Sequence, residues 1–290
     1  MYCCEKWNRL SEFQPQECIR NDLVFLSREY AKNIQVQTRL KLQLSDLIDK
    51  TFAGLKSLVN AENRFPLLLD IYEKYCHVEM VLSIPKEVFI ADIEATAKKN
   101  GHRIGAKIGE AIYNAAPQIV SLRPNNSFTQ LAVTNCVQLL RQAIKATHAI
   151  ITEIDSLTKT LPEYQIVSDM NGVGPKTRAR LIAEIGNVIR FKNARCLIAY
   201  CGIDAPPYQS GQFQANNRHI SKRGNKYLRK VGYEVMRNLK TSHPKHDTAV
   251  YDYIVKKELE GKSKKSAKIA GLNKFLRIYY ARVNEVMLLT

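Results

Sequence analysis

Apolar residues recur in steps of three and four along two long stretches of the chain. Over residues 22–53 the row is Leu23, Leu26, Tyr30, Asn33, Gln37, Leu40, Leu44 and Leu47. A second row runs through Val133, Val137, Leu140, Ile144, Thr147, Ile151 and Ile154. Both are heptad seams, and the spacing predicts two long helices. Polar residues interrupt them at Asn33, Gln37 and Thr147. Such positions lower stability but fix register. Two seams in one chain can close as an antiparallel hairpin, pair with a second copy, or belong to ordinary bundle helices.

Between the seams, residues 62–127 show shorter helical patterns interrupted by Pro66, Pro85, Gly101, Gly105, Gly109, Pro117 and Pro124. Lys98 to Arg103 reads as a basic turn, more readily a solvated loop than a phosphate contact. Leu161-Pro162 marks a boundary, and a new pattern follows it. Ala179, Leu181, Ile182 and Ile185 predict a helix that Pro175 opens and Gly186 closes. Asn193 is placed to cap a short helix through Leu197 and Tyr200, stopped by Gly202. Leu228, Val231, Val235 and Leu239 form an apolar stripe, with Arg229, Lys230 and Arg237 largely off it. A last helix over about 266–287 packs through Leu272, Phe275, Leu276, Tyr279 and Val283. The expected fold is mainly α, with long coiled-coil-like helices over residues 1–160 and a helical C-terminal domain over 161–290. Any strand should be short and near 203–213.

Charge divides the chain the same way. Residues 1–160 hold 20 basic and 17 acidic residues, and residues 161–290 hold 24 and 10. A strongly basic half beside a nearly neutral one points to a polyanionic partner, most often nucleic acid. The seven cysteines form no CxxC pair, which argues against structural zinc or a disulfide framework and fits a reducing cytoplasm. No secretory signal and no membrane-length apolar run is visible.

The strongest local motif is Met170-Asn171-Gly172-Val173-Gly174-Pro175-Lys176-Thr177. Gly-apolar-Gly in front of a helix resembles a helix-hairpin-helix element, whose amides and helix N-terminus would hold a DNA phosphate. Gly172, Gly174, Lys176, Thr177 and Arg178 are its candidate contacts. It lacks the GxxxxGK[ST] spacing of a Walker loop. Farther on, Arg218, Lys222, Arg223, Lys226 and Arg229 form the basic core of this half and are candidate nucleic-acid contacts. Lys256 to Lys268 adds a second basic run. Between them, Gln209-Ser210-Gly211 puts a serine beside glycine on a loop, sterically open but weak as a nucleophile signal on its own; it is not a GxSxG elbow.

Taken in order, these residues resemble a known family. Gly172-Val173-Gly174-Pro175-Lys176-Thr177, Ala183-Glu184-Ile185-Gly186, Arg190-Phe191, Leu197 to Ile203, Gln209-Ser210-Gly211 and the basic helix with Gly224, Leu228 and Arg229 are similar to the C-terminal domain of the insertion sequence 110 transposases, which include the Piv DNA invertases. The likeness is specific over about residues 161–245 and looser over the seams. It implies DNA transposition or site-specific recombination, with Ser210 as the nucleophile that forms a 5′-phosphoserine link. It also implies Mg²⁺ held by an acidic tetrad in an N-terminal RuvC-like domain, a homo-oligomer, and in some members an element-encoded guide RNA. A serine hydroxyl is a poor nucleophile near neutral pH and needs such help.

The acidic tetrad has no counterpart here. Trp7-Asn8-Arg9-Leu10 aligns just after the family's last acidic motif, and Asp22, Asp46, Asp49 and Asp92 lie on helical patterns where surface charge is the default. The expectation is a chain that lacks the RuvC-like domain and does not cleave DNA unaided. The competing expectations are a non-catalytic helix-hairpin-helix nucleic-acid binder and a helical scaffold with incidental charge.

Overall fold

The computed structural model describes residues 15–205, 209–210, 213–214 and 219–289, with side chains over 18–205 and 219–289. Among the described residues, thirteen α-helices run in the order α1 (Pro15–Thr51), α2 (Leu55–Val59), α3 (Phe65–Lys74), α4 (Val78–Leu82), α5 (Lys86–Lys99), α6 (Gly105–Ala115), α7 (Ser127–Thr158), α8 (Tyr164–Ser168), α9 (Pro175–Ile185), α10 (Ala194–Cys201), α11 (Lys226–Ser242), α12 (Ala249–Leu259) and α13 (Lys264–Leu289). Two strands of two residues each, β1 (Gln209–Ser210) and β2 (Phe213–Gln214), pair antiparallel between α10 and α11. The fold is mainly α, and the strands fall in the region expected for them.

Packing divides the chain into two compact units, residues 1–31 with 148–290, and residues 32–147. These boundaries fall inside α1 and α7 and do not coincide with the charge shift at Leu161-Pro162. Net charge follows composition, whereas a compact unit follows which apolar faces meet.

In the unit of residues 32–147, Leu44 and Ile48 of α1, with Phe52 just after it, share a core with Val133, Val137 and Leu140 of α7. Gln37 Nε2 donates to Ala143 O at 3.0 Å and to Thr147 Oγ1 at 2.6 Å. The polar seam residues Gln37 and Thr147 thus satisfy one another within the chain, in antiparallel register. Proline and glycine in 62–127 act less as interruptions than expected. Pro66 sits in the first turn of α3, and Gly105 and Gly109 lie within α6. A Cβ at Gly105 would come within 2.6 Å of Glu94 Cα, so the glycines let α6 lie close on α5.

The unit built on residues 148–290 has α13 at its centre. Leu272, Phe275, Leu276, Tyr279 and Val283 are buried, as are Leu228, Val231, Val235 and Leu239 of α11. The local signals behave as expected: Pro175 lies in the first turn of α9, which ends at Gly186, and Asn193 Oδ1 accepts from Cys196 N at the start of α10. A buried ion pair, Arg20 to Glu163 at 2.6 Å, ties the start of α1 to α8.

Candidate nucleic-acid interface

The Gly172 turn joins α8 to α9. Gly172 has φ +83, and a Cβ there would come within 2.7 Å of Leu239 Cβ and Val235 O on α11. Its small size thus serves packing against the neighbouring helix. Gly174 N donates to Thr177 Oγ1 at 2.9 Å, and Thr177 Oγ1 donates back to Gly174 O at 3.0 Å. This closes the N-terminus of α9 internally.

The basic residues around the turn divide by what they touch. Arg178 donates to Asp155 Oδ1 and to Ser168 Oγ, both at 2.9 Å, and stacks over the Tyr164 ring. Burial pushes the Asp155 carboxyl up, but the hydrogen bonds and charges of Arg178 and Lys159 outweigh it and hold it below its usual value. Arg180, buried, pairs with Glu234 at 2.6 Å. Arg229 donates to Cys201 O at 3.0 Å. Lys176, Lys222 and Arg223 are exposed and have no ion-pair partner among the described residues; Lys226 is exposed too, and lies over the Tyr227 ring. The sequence alone could not separate these groups, because an arginine that anchors a helix and one that awaits a phosphate have the same composition signal. Arg218 lies outside the described residues, and so does the Ser210 side chain.

Backbone pairings flank the Ser210 segment in the sequence. Asn225 N donates to Tyr200 O at 2.6 Å, Lys222 N to Gly202 O at 3.0 Å, and Ser221 N to Asp204 O at 2.8 Å. Beyond them Gln209 pairs with Gln214 and Ser210 with Phe213. All five pairings are centred within Gly211–Phe213 in the sequence. Residues 200–205 and 219–225 thus lie side by side as two legs, and β1, with Ser210, and β2 fall between them in the sequence. Ser221 Oγ donates to Asp204 Oδ1 at 2.5 Å and closes the legs from the side. Gly224 sits where a Cβ would come within 2.1 Å of Tyr200 O, so only glycine allows this approach.

Behind the legs lies a network that sequence reading missed. Asn225 Oδ1 accepts from Tyr227 N and Leu228 N and so caps α11. Its Nδ2 donates to Glu184 Oε2 at 2.8 Å and to Tyr200 Oη at 3.1 Å. Glu184 is buried, and its other oxygen accepts from Ser27 Oγ at 2.8 Å. An Asn just before an apolar-periodic run was the available signal for the cap; nothing local marks Glu184 as its partner.

A cavity of about 1110 Å³ opens beside the legs. Ile203, His219 and Lys222 line it on the side of the legs, and Lys262, Lys265 and Arg277 on the α13 side. No Asp or Glu is among its described lining residues. The nearest carboxylates in sequence are engaged elsewhere: Glu260 with Lys257, Glu258 with Lys240, Asp204 with Ser221. The second basic run, from Lys256 to Lys268, supplies part of this wall.

Among the described residues, no three of the His, Cys, Asp and Glu side chains come together as a metal-ion site. Asp46, Asp49 and Asp92 pair with Lys50, Lys56 and Lys74. The described cysteines, Cys18, Cys76, Cys136, Cys196 and Cys201, are free thiols. No described helix is long and apolar enough to cross a membrane.

Residues 164–252 match the transposase IS116/IS110/IS902 family. Over 129 residues the chain is 23% identical to an uncharacterized 43.6 kDa protein of insertion element IS110 from Streptomyces coelicolor, covering 44% of this chain and 32% of that protein. It is 29% identical over 143 residues to the pilin gene-inverting proteins of Moraxella bovis and Moraxella lacunata, covering 47% of this chain and 44% of theirs. The chain thus spans less than half the length of the curated relatives it matches.

Proposed function

We propose that this chain binds DNA through its C-terminal unit and presents Ser210 for strand transfer in the movement of an insertion sequence. The observation that carries this reading is the closed base of the two legs, Tyr200 to Asn225, lying against the cationic cavity. A rigid base can hold a loop nucleophile near a phosphate, and a wall without carboxylates attracts that phosphate.

In the reaction, Ser210 Oγ attacks a phosphodiester phosphorus and gives up its proton. The Oγ–P bond forms, the P–O3′ bond breaks, and the 3′ oxygen leaves as a hydroxyl. The product is a 5′-phosphoserine link that conserves the bond for rejoining. Lys176, Lys222, Arg223 and Lys226 are the predicted contacts left exposed for the DNA backbone. Gly172, Gly174, Thr177, Arg178 and Arg229 support them by holding the unit together. A homo-oligomer and a cytoplasmic setting fit a reaction that joins two DNA sites, and an element-encoded guide RNA is a candidate second partner.

The test is excision in cells from a plasmid that carries the gene with its flanking DNA, with a RuvC-like acidic domain of the family supplied alongside, read as circular-junction product. Ser210→Ala should abolish the product while the purified protein binds DNA as before. Undiminished product from Ser210→Ala would overturn the nucleophile and leave a non-catalytic DNA binder.

A further inference from the structure

The family-matched segment ends at residue 252, yet α13, which starts at Lys264, supplies much of the cavity wall. Ser266, Ile269, Ala270, Asn273 and Arg277 recur in steps of three and four, so one face of α13 lines the cavity while the opposite face holds the core. Lys265 to Arg277 spans about 18 Å at the rise of an α-helix. That is the reach of about five phosphates at the 3.4 Å rise of one stacked strand.

Two features of the wall distinguish a single strand from a duplex. First, it is recessed between a helix and the two legs, where one strand fits more easily than a paired helix. Second, it is apolar as well as cationic: Ile203, Ile220, Ile269 and Ala270 stand among the basic residues. A duplex keeps its base faces stacked inside, whereas an unpaired strand presents base faces that gain from apolar contact. Lys262, Lys265 and Arg277 are exposed, and none has an ion-pair partner among the described residues. Lys274 is different: its Nζ donates to Ala249 O at 2.9 Å and helps hold α12 to α13.

We infer that the cavity between α13 and the two legs receives an unpaired nucleic-acid strand, with Lys262, Lys265 and Arg277 on its phosphates. This rests on the nucleic-acid reading above and assigns α13, beyond the family-matched segment, a direct part in it. The strand so held runs alongside the legs that flank Ser210 in the sequence.

The test is fluorescence-anisotropy binding of the full chain to a labelled 12-nucleotide DNA and to the matching duplex, across a salt series. The triple variant Lys262→Gln, Lys265→Gln, Arg277→Gln is compared with Lys192→Gln, Arg195→Gln, Lys230→Gln, which removes equal charge from exposed residues away from the cavity. The first variant should bind the single strand about tenfold more weakly, and its slope of log affinity against log salt should be shallower by about 2, from about 0.7 per phosphate. The control variant should lose much less, and duplex binding should respond less than single-strand binding. Equal losses in the two variants would overturn the inference, as would a loss confined to the duplex. If the unmodified chain bound neither DNA, the nucleic-acid reading itself would fail, and this inference with it. Circular dichroism of both variants checks that the helices persist.

Discussion

Asn225 holds the buried carboxylate of Glu184 with its side-chain amide at 2.8 Å while its carbonyl oxygen caps α11. One side chain thereby fixes three things: the start of α11, the position of α9, and, through Tyr200, one of the legs that flank Ser210 in the sequence.

Asn225→Ala removes the cap and leaves one oxygen of Glu184 without its donor. The expected cost is roughly 2–4 kcal/mol, from a lost N-cap of about 1 and an unsatisfied buried acceptor of about 1–3. Urea unfolding of the full chain checks it, and a loss below 1 kcal/mol would show that the junction is not structural. Ser27→Ala should be sub-additive with Asn225→Ala, because both act on the same carboxylate.

Gly224→Ala should prevent the legs from closing, since the new methyl has no room against Tyr200 O. Amide exchange should accelerate at Lys222 and Asn225, whose N–H groups bond across the legs, while α13 stays protected. Unchanged exchange at these two amides would mean the base is not held as described.

The Asp155 carboxyl sits below its usual value. A depressed carboxylate stabilises the fold above its unfolded pKa, about 3.9, and that contribution is lost as pH falls through the lower folded value. Arg178→Ala should therefore destabilise the chain most near neutral pH, and the difference from the unmodified protein should shrink as pH drops below about 4. A difference independent of pH would assign the Arg178 effect to packing on Tyr164 rather than to Asp155.

Gln37→Leu should cost about 1 kcal/mol, the net worth of a partly buried hydrogen bond, because Thr147 Oγ1 still donates to Ala143 O without it. Gln37→Leu with Thr147→Val should recover much of the loss, since two apolar partners replace a polar pair. If the double variant were the less stable by the sum of both singles, the two seam residues would not be partners.

Much of this fold is encoded in short stretches of sequence. The seams and the α13 stripe depend on residues three and four apart, and the starts at Pro175 and Asn193 and the stops at Gly186 and Gly202 depend on one or two neighbours. Such signals need no knowledge of the rest of the chain, so the mainly α architecture, the helix ends and the short strands near Ser210 could all be read in advance. The order of motifs from Gly172 to Arg229 likewise pointed to the transposase family without any coordinates.

The fate of each charge needed the tertiary structure. Arg178, Arg180 and Arg229 look no different in sequence from Lys222 or Arg223, yet their partners lie 23, 54 and 28 residues away and withdraw them from solvent. Glu184 finds Ser27 across 157 residues and Asn225 across 41. The cationic cavity arises because α13 returns beside legs some forty residues earlier in the chain. Periodicity specifies which face of a helix is apolar, but only the packing of those faces decides which polar groups meet and which remain open to a ligand.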